Sequence, residues 1–229
     1  MNDETCDSLC GDLRLGILPT LTPYLVPRFA TKFVERYPEV NLIIHERVSE
    51  SLCEGLERHE LDVALLSGPM NRPHLEEREV FTEPYLCYLS PGHRLLSKKR
   101  IRESDLALSE IWLLTDGHCF RNEVLNLCHA VRDKKAADKN IWFESGSLET
   151  IKELVDAGQG YSLFPDLAVE QFATAAEKKR VRRFASPEPV RTITMLNGRY
   201  FNRRRLLNVV QEEIVRSLPK AMRQTTRGR

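Results

Sequence analysis

Long apolar runs are absent from the sequence. Nowhere do about 18 consecutive residues reach the hydrophobicity of a bilayer-crossing helix, so no membrane span and no membrane partner are expected. An excess of one charge is absent too: 34 Lys and Arg face 33 Asp and Glu, a formal charge of +1. That balance argues against a chain that binds nucleic acid over its whole surface. The opening "MNDETCDSLCGD" is acidic and polar, the reverse of a secretory signal, and the expected location is cytoplasmic. Metal-site spacings are missing as well. Neither C-x2-C nor H-x3-H occurs, so no metal and no cofactor are expected, and the His118, Cys119, Cys128, His129 group is a poor zinc set. No repeat and no low-complexity linker interrupts the chain.

What is present fits a globular protein of ordinary make-up. At 229 residues, with 41% hydrophobic and 29% charged residues, the chain can bury a sound core as one large α/β unit or two small ones. Six cysteines in a reducing compartment are expected to be thiols. Cys53, in an amphipathic helix pattern, and Cys87, in a strand-like run, are expected in the core. Cys6 and Cys10 are expected to be exposed.

The periodicities alternate between strand and helix. "DLRLGIL", "VNLIIHERV" and "LDVALLSG" read as strands. Between them lie a long helix ending before Pro38 and a helix "SESLCEGLERHE" with Ser49 at its N-cap. "HLEEREVF" and "EPYLCYLSP" read as two short strands around "TEP". A second series follows: strands "EIWLLTD" and "KNIWFES", a helical "CFRNEVLNLCHAV", and a helix from Ser147 that ends before Gly158. "YSLFPDLAVEQF" reads as a strand and a short helix, "RVRRFASPEPVRTITMLN" as strands, and "NRRRLLNVVQEEIVRSL" as a closing helix. The basic C-terminal run reads as a solvated helix face and a frayed tail. Such β-α alternation predicts an α/β fold of two Rossmann-like subdomains around a cleft; one continuous sheet is the competing topology. The boundaries expected are 1–10 as a disordered linker remnant, 11–88 with 189–218 as one subdomain, 89–188 as the second, and 219–229 as a tail.

The stretch "LLTDGHCFRNEVLNLC" carries the chemistry. Cys119 stands at the start of a helical pattern, where the helix dipole, His118 and Arg121 all favour a thiolate over the ordinary thiol. Arg121 can also steady a hydroxide leaving group. Thr20 reads either as a hydrogen-bonding group for a small ligand or as an N-cap. Arg191 reads as a ligand contact or as a strand-end surface charge, and Ser49 as a cap before a ligand contact. If 119–128 is one helix, nine residues set the two sulfurs roughly 13 Å apart along its axis. A disulfide needs Cα atoms within about 7 Å, so the two cannot join while that helix persists.

Three blocks, "LRLGILPTLTPYLVPRFATKFVERYPEVNLIIHE", "LERHELDVALLSGP" and "GSLETIKELVDAGQGYSLFPDLAV", resemble the effector-binding domain of LysR-type transcriptional regulators, in register over roughly residues 11–215. The block "DGHCFRNEVLNLC", with "EPVRTI" downstream, resembles the redox element of the family's peroxide-sensing branch. The resemblance implies a fold like that of type II periplasmic binding proteins. It implies that hydrogen peroxide oxidises Cys119, that Cys128 is its disulfide partner, and that Thr20, Ser49, His118, Arg121, Asn122 and Arg191 sit at positions shaping the peroxide pocket. Two positions depart from the family pattern: Asn122 replaces a common aspartate and Ser49 a common threonine. Also implied are a homodimer, a tetramer in the full-length protein, a disulfide-reducing system as partner, and promoter contact only through an N-terminal helix-turn-helix that this sequence does not contain. A LysR-type domain binding a small organic anion, a thiol peroxidase and an extracytoplasmic solute-binding protein are the competing functions. A regulatory domain, not an enzyme, is the expectation.

Overall fold

The computed structural model describes residues 9–117, 119–127, 146–158 and 160–223. The chain divides into two compact units. One holds the residues up to Thr82 together with those from Thr192 onward; Glu83–Arg191 form the other.

In the first unit, strand β1 (Gly11–Ile17) pairs in parallel with β2 (Val40–Glu46) on one side and β3 (Val63–Gly68) on the other. Helix α1 (Thr22–Arg36) and helix α2 (Ser49–Glu57) are the crossovers. Parallel neighbours need such long connections, and both are amphipathic enough to bury one face. Tyr24, Leu25, Phe29 and Phe33 are the buried stripe of α1, and Leu52, Cys53 and Leu56 that of α2. Pro27 lies inside α1, and the helix stops at Arg36, ahead of Pro38 as expected. Strand β8 (Val190–Gly198) runs antiparallel to β3, and helix α7 (Arg204–Ser217) packs on α1. A last helix, α8 (Lys220–Arg223), closes the described chain. Gly16 leaves no room for a side chain, because a Cβ there would stand 2.5 Å from Leu52 Cδ2. Strand and helix therefore pack at backbone distance there.

In the second unit, strand β4 (Leu75–Leu89), which begins in the first, pairs antiparallel with β6 (Tyr161–Pro165) and with β7 (Val181–Phe184). The two-residue β5 (Arg100–Ile101) lies parallel to β7. Around this ribbon stand α3 (Cys119–Leu127), α4 (Leu148–Asp156), α5 (Asp166–Phe172) and α6 (Ala175–Lys178). Ser147 caps α4, its Oγ accepting from the Thr150 amide, and Gly158 follows the helix at φ 102°. Both match the sequence signals.

Two readings are corrected. "HLEEREVF" and "EPYLCYLSP" are one 15-residue strand, β4. Pro84 is tolerated within it, and the Tyr85 amide that follows donates to the Pro189 carbonyl. "EIWLLTD" is not a strand. Only Ile111 makes a bridge, to Tyr161, and the next residues form an irregular approach to α3. It is held instead by single hydrogen bonds, Trp112 N to Tyr161 O at 2.8 Å and Ser162 Oγ to Trp112 O at 2.7 Å. "KNIWFES" lies outside the described residues. Cys53 and Cys87 are fully buried, as expected of core thiols. Cys10 is half-buried rather than exposed, since it adjoins β1 and its carbonyl accepts from Arg203.

Candidate functional site

The site grows from the first turn of α3. Cys119 is the first residue of this helix and is half-buried. The chain enters through a tight turn at Asp116–Gly117, where Gly117 takes φ 93°, a conformation glycine adopts without strain. Arg121 reaches back over that turn. Its Nη1 donates to the Leu114 carbonyl at 2.9 Å and its Nε to Asp116 Oδ1 at 2.7 Å. A guanidinium is thereby fixed beside the helix start, where backbone N–H groups already favour negative charge. Asp116 is 94% exposed, so solvent screens that pair.

The adjoining face of α3 rests on β4. Phe120 and Val124 are its buried residues. The Phe120 ring meets that of Tyr85 with centroids 5.5 Å apart at 55°. The Tyr85 hydroxyl donates to the Glu123 carboxylate. Phe120 and Glu123 stand three apart in the helix, so both face one strand residue. Burial and the neighbouring Glu123 carboxylate push the Tyr85 phenol well above its ordinary pKa, which keeps it a donor.

Beneath Phe120 lies a buried ion pair. The Arg191 guanidinium sits 5.6 Å from the Phe120 ring centre. Its Nε and Nη2 donate to Glu83 Oε1 at 2.9 and 2.8 Å, with side chains 1% and 0% exposed. The other Glu83 oxygen accepts the Leu167 amide at 2.8 Å, in the first turn of α5. Burial opposes the charge on Arg191, yet Glu83, Tyr85 and Glu123 hold its pKa above the usual value. The surface-charge reading of Arg191 is therefore wrong. Strand alternation that puts Thr192 at intermediate exposure turns Arg191 inward, onto a carboxylate that one sequence cannot pair with it.

The structure places the remaining predicted residues as follows. Asn122 is exposed, pointing away from the β4 side of α3. Thr20 is buried in the turn between β1 and α1 and is not the cap of α1, because the residue before that helix is Leu21. Ser49 is not a cap either; Val48 holds that position and Ser49 is the first residue of α2. Its Oγ is buried with no hydrogen-bond partner among the described residues. Cys119, Arg121 and Arg191 border one helix in the second unit, whereas Thr20 and Ser49 belong to the first. His118, Cys128, His129 and Cys6 lie outside the described residues. Sequence reading missed Glu83, Tyr85 and Glu123. No local signal singles them out: Glu83 and Tyr85 alternate on one side of β4, but Glu76, Glu77, Arg78 and Glu79 of the same strand are charged without being buried. Among the described residues no cluster of three or more His, Cys, Asp or Glu can hold a metal ion, and no helix is long and apolar enough to cross a membrane.

Comparison with known proteins shows the family and the fold. Residues 7–211 match the family described as the LysR substrate binding domain. A hydrogen peroxide-inducible genes activator from Haemophilus influenzae is 30% identical over 213 residues, covering 90% of this chain and 68% of the relative. The crystal structure of OxyR from Porphyromonas gingivalis superposes with a TM-score of 0.83 at 28% identity, covering 93% of this chain and 94% of that one. The reduced form of the OxyR regulatory domain from Pseudomonas aeruginosa gives a TM-score of 0.77 at 30% identity, covering 90% and 98%. The chain spans between 58% and 68% of the length of the curated relatives it matches. A two-unit α/β fold, a cysteine opening a short helix and these likenesses together show that the chain belongs to the LysR substrate binding domain family, and within it to the OxyR type.

Proposed function

We propose that this chain is the regulatory domain of a peroxide-responsive transcription factor in which Cys119 is the sensor and Cys128 the resolving thiol. The observation that carries the reading is Cys119 as first residue of α3, with Arg121, two residues on, tied by its guanidinium to the loop that enters the helix. The Cys119 thiolate attacks one oxygen of hydrogen peroxide. The O–O bond breaks, the other oxygen leaves as hydroxide and takes a proton to become water, and the sulfur is oxidised to a sulfenic acid. Arg121 is placed to stabilise the departing hydroxide. Cys128 then attacks that sulfur as a thiolate. The S–S bond forms, the S–O bond breaks, and a second hydroxide leaves as water. Thiol–disulfide exchange with a cellular reductant restores both thiols.

The second step requires α3 to open. Its nine residues are continuous helix, and two thiols nine positions apart on one unbroken helix would stand roughly 13 Å apart along the axis, beyond the reach of a disulfide. A covalent change at one sulfur thereby becomes a conformational one. Thr20, Ser49, His118, Arg121 and Arg191 are proposed to shape the peroxide pocket, with Asn122, exposed here, at its margin. The two units are proposed to be the two regulatory subdomains. The domain pairs with a second copy in the cytoplasm, and in a longer chain the pair carries DNA-binding heads and assembles as a tetramer. It acts stoichiometrically, as a regulator and not as an enzyme.

The test is the first oxidation step. In the Cys128→Ser protein, micromolar peroxide should yield a sulfenic acid on Cys119 that a nucleophilic carbon-acid probe traps, and Arg121→Ala should slow its formation at least tenfold. If Cys119 stays unmodified while small organic anions raise the melting temperature, the domain is an anion-responsive regulator instead. Continuous peroxide consumption with a reductant would indicate a thiol peroxidase.

A further inference from the structure

We infer that Tyr85 is a latch on α3, acting with Glu123 to set how readily the helix opens for the disulfide step. They are positioning residues: neither forms a bond to peroxide. The inference rests on the proposed two-thiol reading and adds the element that controls its second step.

Alone, a helix of nine residues is marginal in water, because the cost of nucleation is spread over too few hydrogen bonds. Its persistence depends on what holds it from outside. The anchors fall in its first half. Arg121 ties it to the entering loop, and Phe120 and Glu123 both engage Tyr85, one through the ring and one through the hydroxyl. Beyond Val124 the helix is weakly covered: Leu125 and Leu127 are half-buried and Asn126 is exposed.

Tyr85 is fixed independently of α3. It lies in register with Pro165 in the β4–β6 ladder, its amide donates to Pro189, and it is 2% exposed. The residue that grips the helix is thus part of a sheet that the redox reaction leaves intact. Opening α3 separates Glu123 from the Tyr85 hydroxyl and leaves a buried phenol without its acceptor, which opposes the opening. Glu123 stands one helical turn on from Cys119, and Tyr85 lies within electrostatic reach of its sulfur, so the two chemical steps are measured separately; the latch itself bears on the opening that follows sulfenic acid formation.

The experiment compares the reduced protein with Tyr85→Phe, which keeps the ring on Phe120 and removes the hydroxyl, and with Glu123→Gln, at a half-exposed site that tolerates substitution. Two readouts are taken. Amide hydrogen exchange over 119–127 in the reduced state should quicken about fivefold in Tyr85→Phe, the factor one net hydrogen bond supplies, and less in Glu123→Gln. The rate of disulfide formation after a peroxide pulse should rise by a similar factor, and by more than the trapping rate of Cys119 sulfenic acid measured with Cys128→Ser. The double variant should be no faster than Tyr85→Phe alone. Unchanged exchange in both variants would overturn the latch, as would equal acceleration of both chemical steps. Failure to trap any sulfenic acid in the parent would sink the two-thiol reading instead, and the exchange experiment would still decide whether Tyr85 holds α3.

Discussion

At the level of single residues, the buried Glu83–Arg191 pair is the strongest electrostatic commitment in the second unit. Removing one partner leaves the other charge in a site with almost no water. Glu83→Ala should therefore lower stability by about 3 kcal/mol or more in urea unfolding, and by more than any single surface ion pair such as Arg94–Glu110. His93 makes a second, pH-dependent prediction. Its side chain is 6% exposed, its Nδ1 accepts the Leu95 amide, and burial pushes its pKa below the ordinary value, with Arg94 adding to the shift and Glu110 opposing it. The unfolded chain therefore binds a proton at a higher pH than the fold does. Stability should be full above about pH 6.5 and should fall as pH drops below it, by at most about 1.4 kcal/mol per pH unit from this group. His93→Gln, which keeps an acceptor, should flatten that slope; an unchanged slope would place the titration elsewhere.

The elements show which parts of the fold were legible. The strands β1, β2, β3 and β6 and the helices α1, α4 and α7 follow from hydrophobic period and capping residues, because local pattern and tertiary burial agree there. Ser147, Gly158 and Pro38 marked helix ends correctly because each acts locally: Ser147 through its Oγ, Gly158 through its positive φ and Pro38 through its ring. The approach to α3 was misread as a strand: "IWLL" is apolar enough, yet its partners are single hydrogen bonds from β6 and no ladder. Ser49 and Thr20 look like caps one residue too early or late, a boundary that helix-forming pattern alone does not resolve. Arg191, Glu83 and Tyr85 were out of reach for another reason. A buried ion pair across 108 residues of sequence has no local signature.

Element-scale energetics can be tested at α4. Its Lys152 bridges Asp156 at 2.6 Å and Glu177 of α6 at 2.7 Å, while Arg180 holds the other Asp156 oxygen and the Tyr88 hydroxyl. Lys152, with the Thr174 hydroxyl and amide, brings the Glu177 carboxyl down to about 2. A depressed carboxyl contributes stability present above its ordinary pKa and lost as pH falls through the folded value, between about 4.5 and 2. Lys152→Met should shrink that acid-side loss and lower neutral-pH stability by about 1–2 kcal/mol, read from urea unfolding at pH 7 and pH 3. Ser147→Ala, which deletes the α4 cap, should cost about 1 kcal/mol.

At the scale of the whole molecule, the proposed oxidation at one end of α3 changes how two copies of the domain pair. Velocity sedimentation should show the reduced domain as a dimer, and peroxide should alter its sedimentation coefficient or dimer affinity in wild type but not in Cys128→Ser. An oxidised protein indistinguishable from the reduced one would separate sensing from assembly. The central claim is the disulfide itself, and peptide mass spectrometry tests it most directly: reduced wild-type protein is exposed to one equivalent of hydrogen peroxide, remaining thiols are alkylated, and the digest is mapped. A Cys119–Cys128 crosslink is expected, with the buried Cys53 and Cys87 alkylated only after unfolding. A Cys119 that stays alkylatable while other thiols oxidise equally would contradict it.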